Sequence, residues 1–197
     1  MVKTIDTHSF EDQNINEGGW ILDAGARGFS FSKYFLGKGN KLIALEPDKK
    51  CVPDFINDNF YLYYEALYDR DEIMTYSTWS TGEGNMVHDD DKYTSENYSY
   101  QQKSKIQSHT LDYYMDKHSI EIFELIKLDI EGSEYKFLEW YAKNKKILTK
   151  QFSIEFHDFT GRNEHENFNY DTINLGWFNE NYKCIRSDKL DSVFILK

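Results

Sequence analysis

The chain has 197 residues, a length typical of one domain that buries its own core. Its formal charge of −11, from 34 acidic and 23 basic residues, disfavours nucleic acid as a partner because an acidic surface repels phosphates. The N-terminus has no apolar signal core, and no apolar run reaches the ~20 residues of a membrane helix. We therefore expect one cytoplasmic domain, residues 1–197, without a membrane span. Its two distant cysteines, Cys51 and Cys184, share no metal-ligand spacing and are expected to be reduced thiols.

The first half of the chain begins with a polar segment, residues 1–18, which we predict to form a helix or arm. Apolar runs and alternating patterns then predict a series of strands, and glycine and proline mark the ends of the helices between them. The predicted strands are 20–24, 41–46, 60–64 and 72–79, and the predicted helices are 30–36 and 47–57.

The composition changes between residues 80 and 108, which are rich in Gly, Asn, Ser and Tyr and show no periodicity. We predict a surface excursion or a lid there, because long loops without structure often cover a site. Beyond it, the predicted helices are 110–118, 133–143 and 171–180, and the predicted strands are 123–129, 151–156, 182–186 and 192–196. Alternating strands and helices predict an α/β fold. We expect a mainly parallel, Rossmann-like sheet with helices on both faces and an antiparallel C-terminal hairpin.

The first predicted strand leads into the sequence Asp-Ala-Gly-Ala-Arg-Gly, residues 23–28. A dinucleotide-binding turn has the pattern G-x-G-x-x-G, and here Gly25 and Gly28 fill its second and third glycine positions. Asp23 stands at the first position, where its carboxylate would repel a pyrophosphate but attract the ammonium group of an aminoacyl ligand. This turn therefore favours an aminoacyl nucleoside over a nicotinamide dinucleotide.

The second predicted strand ends at Glu46, 21 residues after Gly25. An acidic residue at about that distance accepts hydrogen bonds from ribose hydroxyls, and Pro47 fixes the turn behind it. Ala66 and its neighbours follow the third strand, a position from which they could frame an adenine ring.

Residues 127–134, Lys-Leu-Asp-Ile-Glu-Gly-Ser-Glu, place three carboxylates and a glycine at one strand end. Because side chains alternate along a strand, Asp129 and Glu131 point to the same side. The repulsion between their charges must be relieved by a cation, a hydrogen-bond donor or a raised pKa. Glu134 has both a structural explanation, as the acidic residue at a helix start, and a functional one. His157 ends the following strand and is a candidate general base, because an alcohol loses its proton as it attacks a methyl group.

These segments resemble the FkbM-type methyltransferases, class I enzymes that use S-adenosylmethionine, mostly for O-methylation. The resemblance covers residues 19–158, and Lys-x-Asp-x-Glu-Gly-x-Glu is its most distinctive pattern. Two features depart from the family: Arg27 stands where asparagine is usual, and 80–108 has no recognisable family pattern. The matching stretches are 22–28, 45–47, 65–69, 110–112, 126–134 and 153–157.

The resemblance implies an S-adenosylmethionine-dependent O-methyltransferase acting on a hydroxyl of a small molecule or a sugar. It implies that the turn at Asp23, Gly25, Ala26 and Gly28 cradles the aminoacyl end and that Glu46 binds the ribose. Ala66 would lie beside the adenine. Asp129 would lie near the transferred methyl group, and the catalytic candidates are Asp129, Glu131 and His157.

Two alternatives stay open at this point. A non-catalytic Rossmann-like module would bind a nucleoside or a partner protein without chemistry. We assign no metal, although Asp129, Glu131, Glu155 and His157 offer an oxygen-rich set that would suit Mg²⁺ or Mn²⁺. The sequence identifies neither the methyl acceptor nor the oligomeric state.

Overall fold

The computed structural model of the protein describes residues 1–78, 85–88, 102–157, 176–187 and 191–197. Its strands form a two-stranded hairpin, a seven-stranded sheet and a four-stranded sheet. In chain order the elements are β1 (Val2–Ile5), β2 (His8–Glu11), β3 (Trp20–Ala24), α1 (Ser30–Gly37), β4 (Lys41–Leu45), β5 (Phe60–Tyr63), β6 (Ala66–Leu67), β7 (Glu72–Thr78), β8 (Met86–His88), β9 (Gln102–His109), α2 (Leu111–His118), β10 (Leu125–Leu128), α3 (Glu134–Asn144), β11 (Gln151–Glu155), α4 (Gly176–Asn181), β12 (Tyr182–Ser187) and β13 (Asp191–Leu196).

The seven-stranded sheet has the order β5-β4-β3-β10-β11-β13-β12 and is parallel from β5 to β11. The last two strands form an antiparallel hairpin, with β13 also antiparallel to β11. The chain runs outward from β3 to β5 and then returns to start β10 on the other side of β3. Strand order thus reverses between β3 and β10, and ligands in such sheets bind at the carboxyl ends of the strands on either side of this point.

Apolar side chains alternate between the two faces of this sheet, and each face packs against a different set of elements. Leu22, Ile43 and Ile126 face a core that also contains buried residues of α2, α3 and α4. Ile21 and Leu42 face a second core, built with α1 and with Phe10 of the N-terminal hairpin. The prediction of a Rossmann-like α/β sheet with helices on both faces and a C-terminal hairpin is confirmed.

The N-terminal segment differs from the prediction, because residues 2–11 form the β1–β2 hairpin instead of a polar helix or arm. The turn is made by Asp6 in the left-handed conformation, and β2 is buried over its first three residues. Phe10 packs its ring against Phe31 and Phe35 of α1, which draws the hairpin onto the sheet.

The predicted helix at 47–57 is also absent, because these residues form turns and irregular structure. Pro53 explains this difference, since proline has no amide hydrogen to donate and disfavours the helical conformation of the residue before it.

The predicted excursion at 80–108 contains strands at both described ends. β8 and most of β9 lie in it, and both pair antiparallel with β7 in the four-stranded sheet β6-β9-β7-β8. Most of β9 is exposed and polar, so its sequence lacks the apolar alternation that marks a half-buried strand. Residues 80–84 and 89–101 of the predicted excursion lie outside the described residues, as do 171–175 of the predicted helix at 171–180. Within the described parts of the chain, no helix has the length and apolar character needed to cross a bilayer.

Candidate functional site

The turn after β3 brings the chain against the end of β10. Gly25 has φ +79°, and the amide groups of Gly25 and Ala26 donate hydrogen bonds to the Leu45 carbonyl oxygen at 2.9 and 3.2 Å. A Cβ atom at Gly25 would lie 1.8 Å from the backbone carbonyl oxygen of Asp129, which is a severe overlap. Glycine is therefore required here both by the backbone angle and by the close approach of the two segments.

Asp23 lies beneath this turn and not in the pocket above it. Its side chain is 1% exposed, and Ser32 Oγ donates a hydrogen bond of 2.7 Å to Oδ2. Lys127 Nζ lies 3.1 Å from Asp23 Oδ1 and donates a 2.8 Å hydrogen bond to the Gly25 carbonyl oxygen. The structure thus gives Asp23 the position of a buried counter-ion that anchors Lys127 and, through it, the turn.

Glu46 stands at the carboxyl end of β4 and lines a pocket. It is 6% exposed, and its Oε1 accepts a hydrogen bond of 2.8 Å from the Asp48 amide. Burial raises the pKa of Glu46 to about 7, against the opposing effect of the Asp48 amide hydrogen bond and of Lys127 and Arg27. Further hydrogen-bond donors would therefore stabilise the charged form of this buried carboxylate.

The chain after β10 makes a tight turn with two successive left-handed residues, Glu131 (φ +53°) and Gly132 (φ +92°). The carboxylate of Glu134 holds this turn, accepting hydrogen bonds from the Ile130 amide at 2.9 Å and the Gly132 amide at 2.8 Å. Glu134 is fully buried. These contacts support a structural role for Glu134. Asp129 and Glu131, in contrast, line the pocket.

His157 meets this turn from the end of β11. Its Nδ1 lies 3.1 Å from Glu134 Oε1, and its Nε2 lies 3.7–3.8 Å from oxygens of Asp129, Glu131 and Glu155. Burial lowers the pKa of His157, but the Glu134 hydrogen bond and the charges of Glu134, Glu131 and Asp129 outweigh it and raise the pKa to about 9. The imidazole is therefore cationic at neutral pH, which makes it a donor or counter-ion in that state.

Asp129 lies between two histidines and a lysine. Its Oδ2 is 3.3 Å from His8 Nε2 and 3.5 Å from Lys127 Nζ, and its Oδ1 is 3.8 Å from His157 Nε2. Burial alone would raise the pKa of Asp129, but Lys127, His8 and His157 hold it well below its usual range. Asp129 is therefore ionised at neutral pH and is suited to accepting a hydrogen bond.

A pocket of about 660 Å³, including its open mouth, connects these groups. Of the residues predicted for the site, Gly25, Glu46, Ala66, Asp129 and Glu131 line it. His157 borders it through Asp129 and Glu131, whereas Asp23, Ala26 and Gly28 support the turn from outside the lining. Lining residues that the sequence did not indicate come mainly from the four-stranded sheet and the loop after β4; they are Asp48, Cys51, Tyr76, Asn85 and Val87.

The pocket is acidic and partly apolar. Five carboxylates line it, from Glu46, Asp48, Glu65, Asp129 and Glu131, and Arg27 is the lining residue with a permanent positive charge. Its apolar walls include Leu45, Leu67 and Ile130. Such a cavity suits a ligand with an apolar ring, hydroxyl donors and a positive charge.

One protein-family model and two solved structures to which the chain is similar are those of methyltransferases. The sequence model of the methyltransferase FkbM domain matches residues 23–182. The solved structure of methyltransferase FkbM from Methylobacillus flagellatus KT is 14% identical, with a TM-score of 0.49, and the match covers 91% of this chain and 44% of that one. A TehB-like SAM-dependent methyltransferase from Corynebacterium glutamicum is 11% identical, with a TM-score of 0.41, and the match covers 94% and 84% of the two chains. The chain thus spans less than half the length of the first of these proteins, and no curated protein sequence matches it.

Proposed function

Because the chain belongs to the FkbM methyltransferase family, we propose that it transfers a methyl group from S-adenosylmethionine to a hydroxyl of a small molecule or sugar. When bound, this cofactor supplies a methyl group on a cationic sulfur; transfer would break the carbon–sulfur bond, form a carbon–oxygen bond and release the hydroxyl proton to water. The charges and the hydrogen-bonding groups of the pocket residues support binding of such a ligand.

The observation that carries the proposal is Glu46, a buried carboxylate in the pocket beside the reversal of strand order. Burial in the pocket removes solvation from this carboxylate and raises its pKa to about 7. Two ribose hydroxyls would donate hydrogen bonds to it, each contributing about 1.5–3 kcal/mol to a charged acceptor. Glu46 would therefore hold the nucleoside part of the cofactor.

The turn at Gly25 and the apolar residues after β5 would hold the rest of this ligand. Gly25 lets the turn pass close to Asp129, which keeps the cofactor pocket and the end of β10 in contact. Ala66 and Leu67 offer an apolar surface for the adenine ring. The carboxylates of the pocket would attract the cationic sulfur and the ammonium group.

Asp129 and Glu131 would orient the acceptor. The low pKa of Asp129 makes it a weak base that stays ionised, so its role would be to accept a hydrogen bond from the hydroxyl and align it. Holding two reactants in line can supply ~7–11 kcal/mol of a barrier, which is the main contribution we expect. His157 would stabilise these carboxylates as a cation at neutral pH and would act as a base only above its raised pKa of about 9.

Calorimetric titration with S-adenosylmethionine and S-adenosylhomocysteine tests the proposal. We expect micromolar binding by the intact protein and at least about tenfold weaker binding by Glu46→Gln, which loses the charged acceptor. Glu139→Gln, on the exposed face of α3, is the matched control and should bind as the wild type does.

No binding of either ligand by the folded protein would contradict the proposed function. Binding without methyl transfer to any hydroxyl acceptor in a radiolabelled-methyl screen would favour the non-catalytic nucleoside-binding module. In a positive screen, the linkage of the methyl group in the product, determined by NMR, distinguishes an ether from an N- or S-methyl product.

A further inference from the structure

Two imidazoles and three carboxylates meet where β2, β10 and β11 come together. The potential ligand atoms of His8, Asp129 and Glu155 all lie within 4.8 Å of one another, and so do those of Asp129, Glu131 and His157. The two groups share Asp129, whose Oδ2 faces His8 and whose Oδ1 faces His157. The two groups therefore adjoin at Asp129, and three separate segments of the chain supply them; we call them together the centre.

His8 is the member of this centre that the methyltransferase comparison does not explain. It lies in the N-terminal hairpin, outside the matched residues 23–182. Its side chain is 4% exposed, its Nδ1 has no hydrogen-bond partner among the described residues, and its Nε2 points into the cluster. The Nε2 atom lies 3.3 Å from Asp129 Oδ2 and 3.8 Å from Glu155 Oε2.

The hairpin is held firmly enough to place His8 there. The Ser9 amide donates to Asp191 Oδ1 at 3.2 Å, and the Glu11 amide donates to Gln151 Oε1 at 2.5 Å. Thr7 Oγ1 also donates a 2.9 Å hydrogen bond to Glu155 Oε2, which fixes one of the carboxylates in the cluster.

The distances between these side chains, and the hydrogen bonds that hold them, are compatible with a metal site. Four of the five nitrogen–oxygen separations around the centre are 3.7–3.8 Å, longer than a hydrogen bond and compatible with atoms that share one cation. His157 presents Nε2 to the centre and bonds Glu134 through Nδ1, and a metal-ligating histidine commonly has such a carboxylate behind it. Lys127 Nζ also lies 3.5 Å from Asp129 Oδ2, but it is closer to Asp23 Oδ1, at 3.1 Å, and it is shared between these two carboxylates.

We propose that His8, Asp129, Glu155 and His157 bind a divalent transition-metal cation, with Glu131 at the pocket side. Binding at His157 Nε2 would displace the proton that this imidazole otherwise carries at neutral pH. Imidazole nitrogens favour metals such as Mn²⁺, Fe²⁺ or Zn²⁺, whereas Mg²⁺ and Ca²⁺ prefer sites made of oxygen alone. Asp129 and Glu131 also line the pocket, so this cation lies next to the space for the methyl acceptor. A role of this cation in holding the acceptor hydroxyl rests on the proposed methyl transfer. Binding of the cation to the protein does not depend on that proposal.

The test titrates Mn²⁺ alone into protein that was treated with EDTA and desalted, and follows the electron paramagnetic resonance signal of free Mn²⁺. We expect about one ion per chain, with at least about tenfold weaker binding by His8→Ala and by Glu155→Gln. Glu155→Gln keeps the size of a partly exposed side chain and tests the site even if His8→Ala fails to fold. His118→Gln, in α2, is the matched control and should leave Mn²⁺ binding unchanged.

Wild-type affinity for Mn²⁺ in either variant, with folding verified by circular dichroism, would overturn the proposed ligand set. No binding by the intact protein up to about millimolar Mn²⁺ would overturn the site itself. Calorimetry with S-adenosylmethionine on the same metal-free protein is read separately, so a failed metal site and a failed cofactor site give different results.

Discussion

At the scale of single residues, Glu46 combines a cost to stability with a gain in binding. The carboxylate is buried at the end of β4, where its own solvation is lost, and only a ligand with hydrogen-bond donors would compensate it. Asp23 is the opposite case, because its buried charge is already balanced by Lys127 and Ser32. Two carboxylates at adjacent strand ends therefore have different surroundings: Asp23 is paired beneath the turn, and Glu46 faces the pocket.

The pKa of Glu46 gives a prediction about stability. In the unfolded chain this group has a pKa near 4.5 and in the folded protein about 7, so the folded state binds more protons between these values. Stability should therefore fall as the pH rises from about 4.5 to 7 and stay lower above it. Glu46→Gln keeps an acceptor for the Asp48 amide without the charge, and should raise the free energy of unfolding at pH 8 by up to about 3 kcal/mol.

Urea denaturation at pH 5 and pH 8 measures this effect, with Glu139→Gln as the control. The gain in Glu46→Gln should be much smaller at pH 5 than at pH 8. An equal gain at the two pH values would show that the charge of Glu46 is not its cause.

At the scale of elements, the N-terminal hairpin covers the part of the sheet that α1 does not reach. Phe10 is completely buried, with ring centroids 5.0–5.7 Å from those of Phe31, Tyr34 and Phe35. The same strand carries His8 toward Asp129. The hairpin thus belongs to the core through one residue and to the candidate site through another.

Replacing Phe10 with alanine should therefore lower the free energy of unfolding by about 3–5 kcal/mol, because it leaves a cavity between the hairpin and α1. Ile56→Ala is the control, since Ile56 is 99% exposed and its truncation should change stability by less than about 0.5 kcal/mol. A loss below about 1 kcal/mol for Phe10→Ala, measured by urea denaturation, would mean that the hairpin does not contribute to the cooperative core.

At the scale of the whole molecule, the pocket joins the seven-stranded sheet to the four-stranded sheet. Glu46 and Asp129 come from strand ends of the first, and Tyr76 and Val87 come from the second. Ser133 Oγ also donates a hydrogen bond to the Val87 carbonyl oxygen at 3.3 Å across the same boundary. A ligand in the pocket would contact both sheets and should stabilise the whole folded state.

Thermal unfolding measures this effect. S-adenosylmethionine at about 100 times its dissociation constant should stabilise the protein by about 2.7 kcal/mol, which corresponds to a rise in Tm of roughly 5–10 °C for a chain of this size. NAD⁺ at the same concentration is the comparison, and we expect no shift because the five carboxylates that line the pocket would repel a pyrophosphate. A shift with NAD⁺ and none with S-adenosylmethionine would contradict the proposed cofactor.

Much of this architecture could be predicted from the sequence because the parallel strands are buried on both faces. β3, β4 and β10 each have one charged residue in an otherwise apolar run, and the residues beyond their carboxyl ends include Glu46, Asp129 and Glu131. The crowding of these carboxylates indicated that a cation, a hydrogen-bond donor or a raised pKa would relieve them. In the structure, Lys127 Nζ lies 3.5 Å from Asp129 Oδ2.

The remaining features depend on contacts between distant parts of the chain. Lys127 and Ser32 hold the Asp23 side chain beneath the turn. No local sequence pattern shows whether this side chain points there or into the pocket. The pocket wall at Tyr76 and Asn85 belongs to a sheet whose long strand β9 is exposed and polar. His8 is one polar residue in a polar segment, and only the docking of β2 on β11 and β13 brings it to Asp129.

This docking has a consequence for the order of events during synthesis. The Ser9 amide donates a hydrogen bond to Asp191, and β2 packs on β11 and β13, so the N-terminal hairpin has no complete surface to bind until β13 has been synthesised. Domains fold as their chain emerges from the ribosome, so the hairpin can dock only after β13 has been synthesised. The parallel strands around Glu46 can assemble earlier, whereas the centre around His8 is completed last.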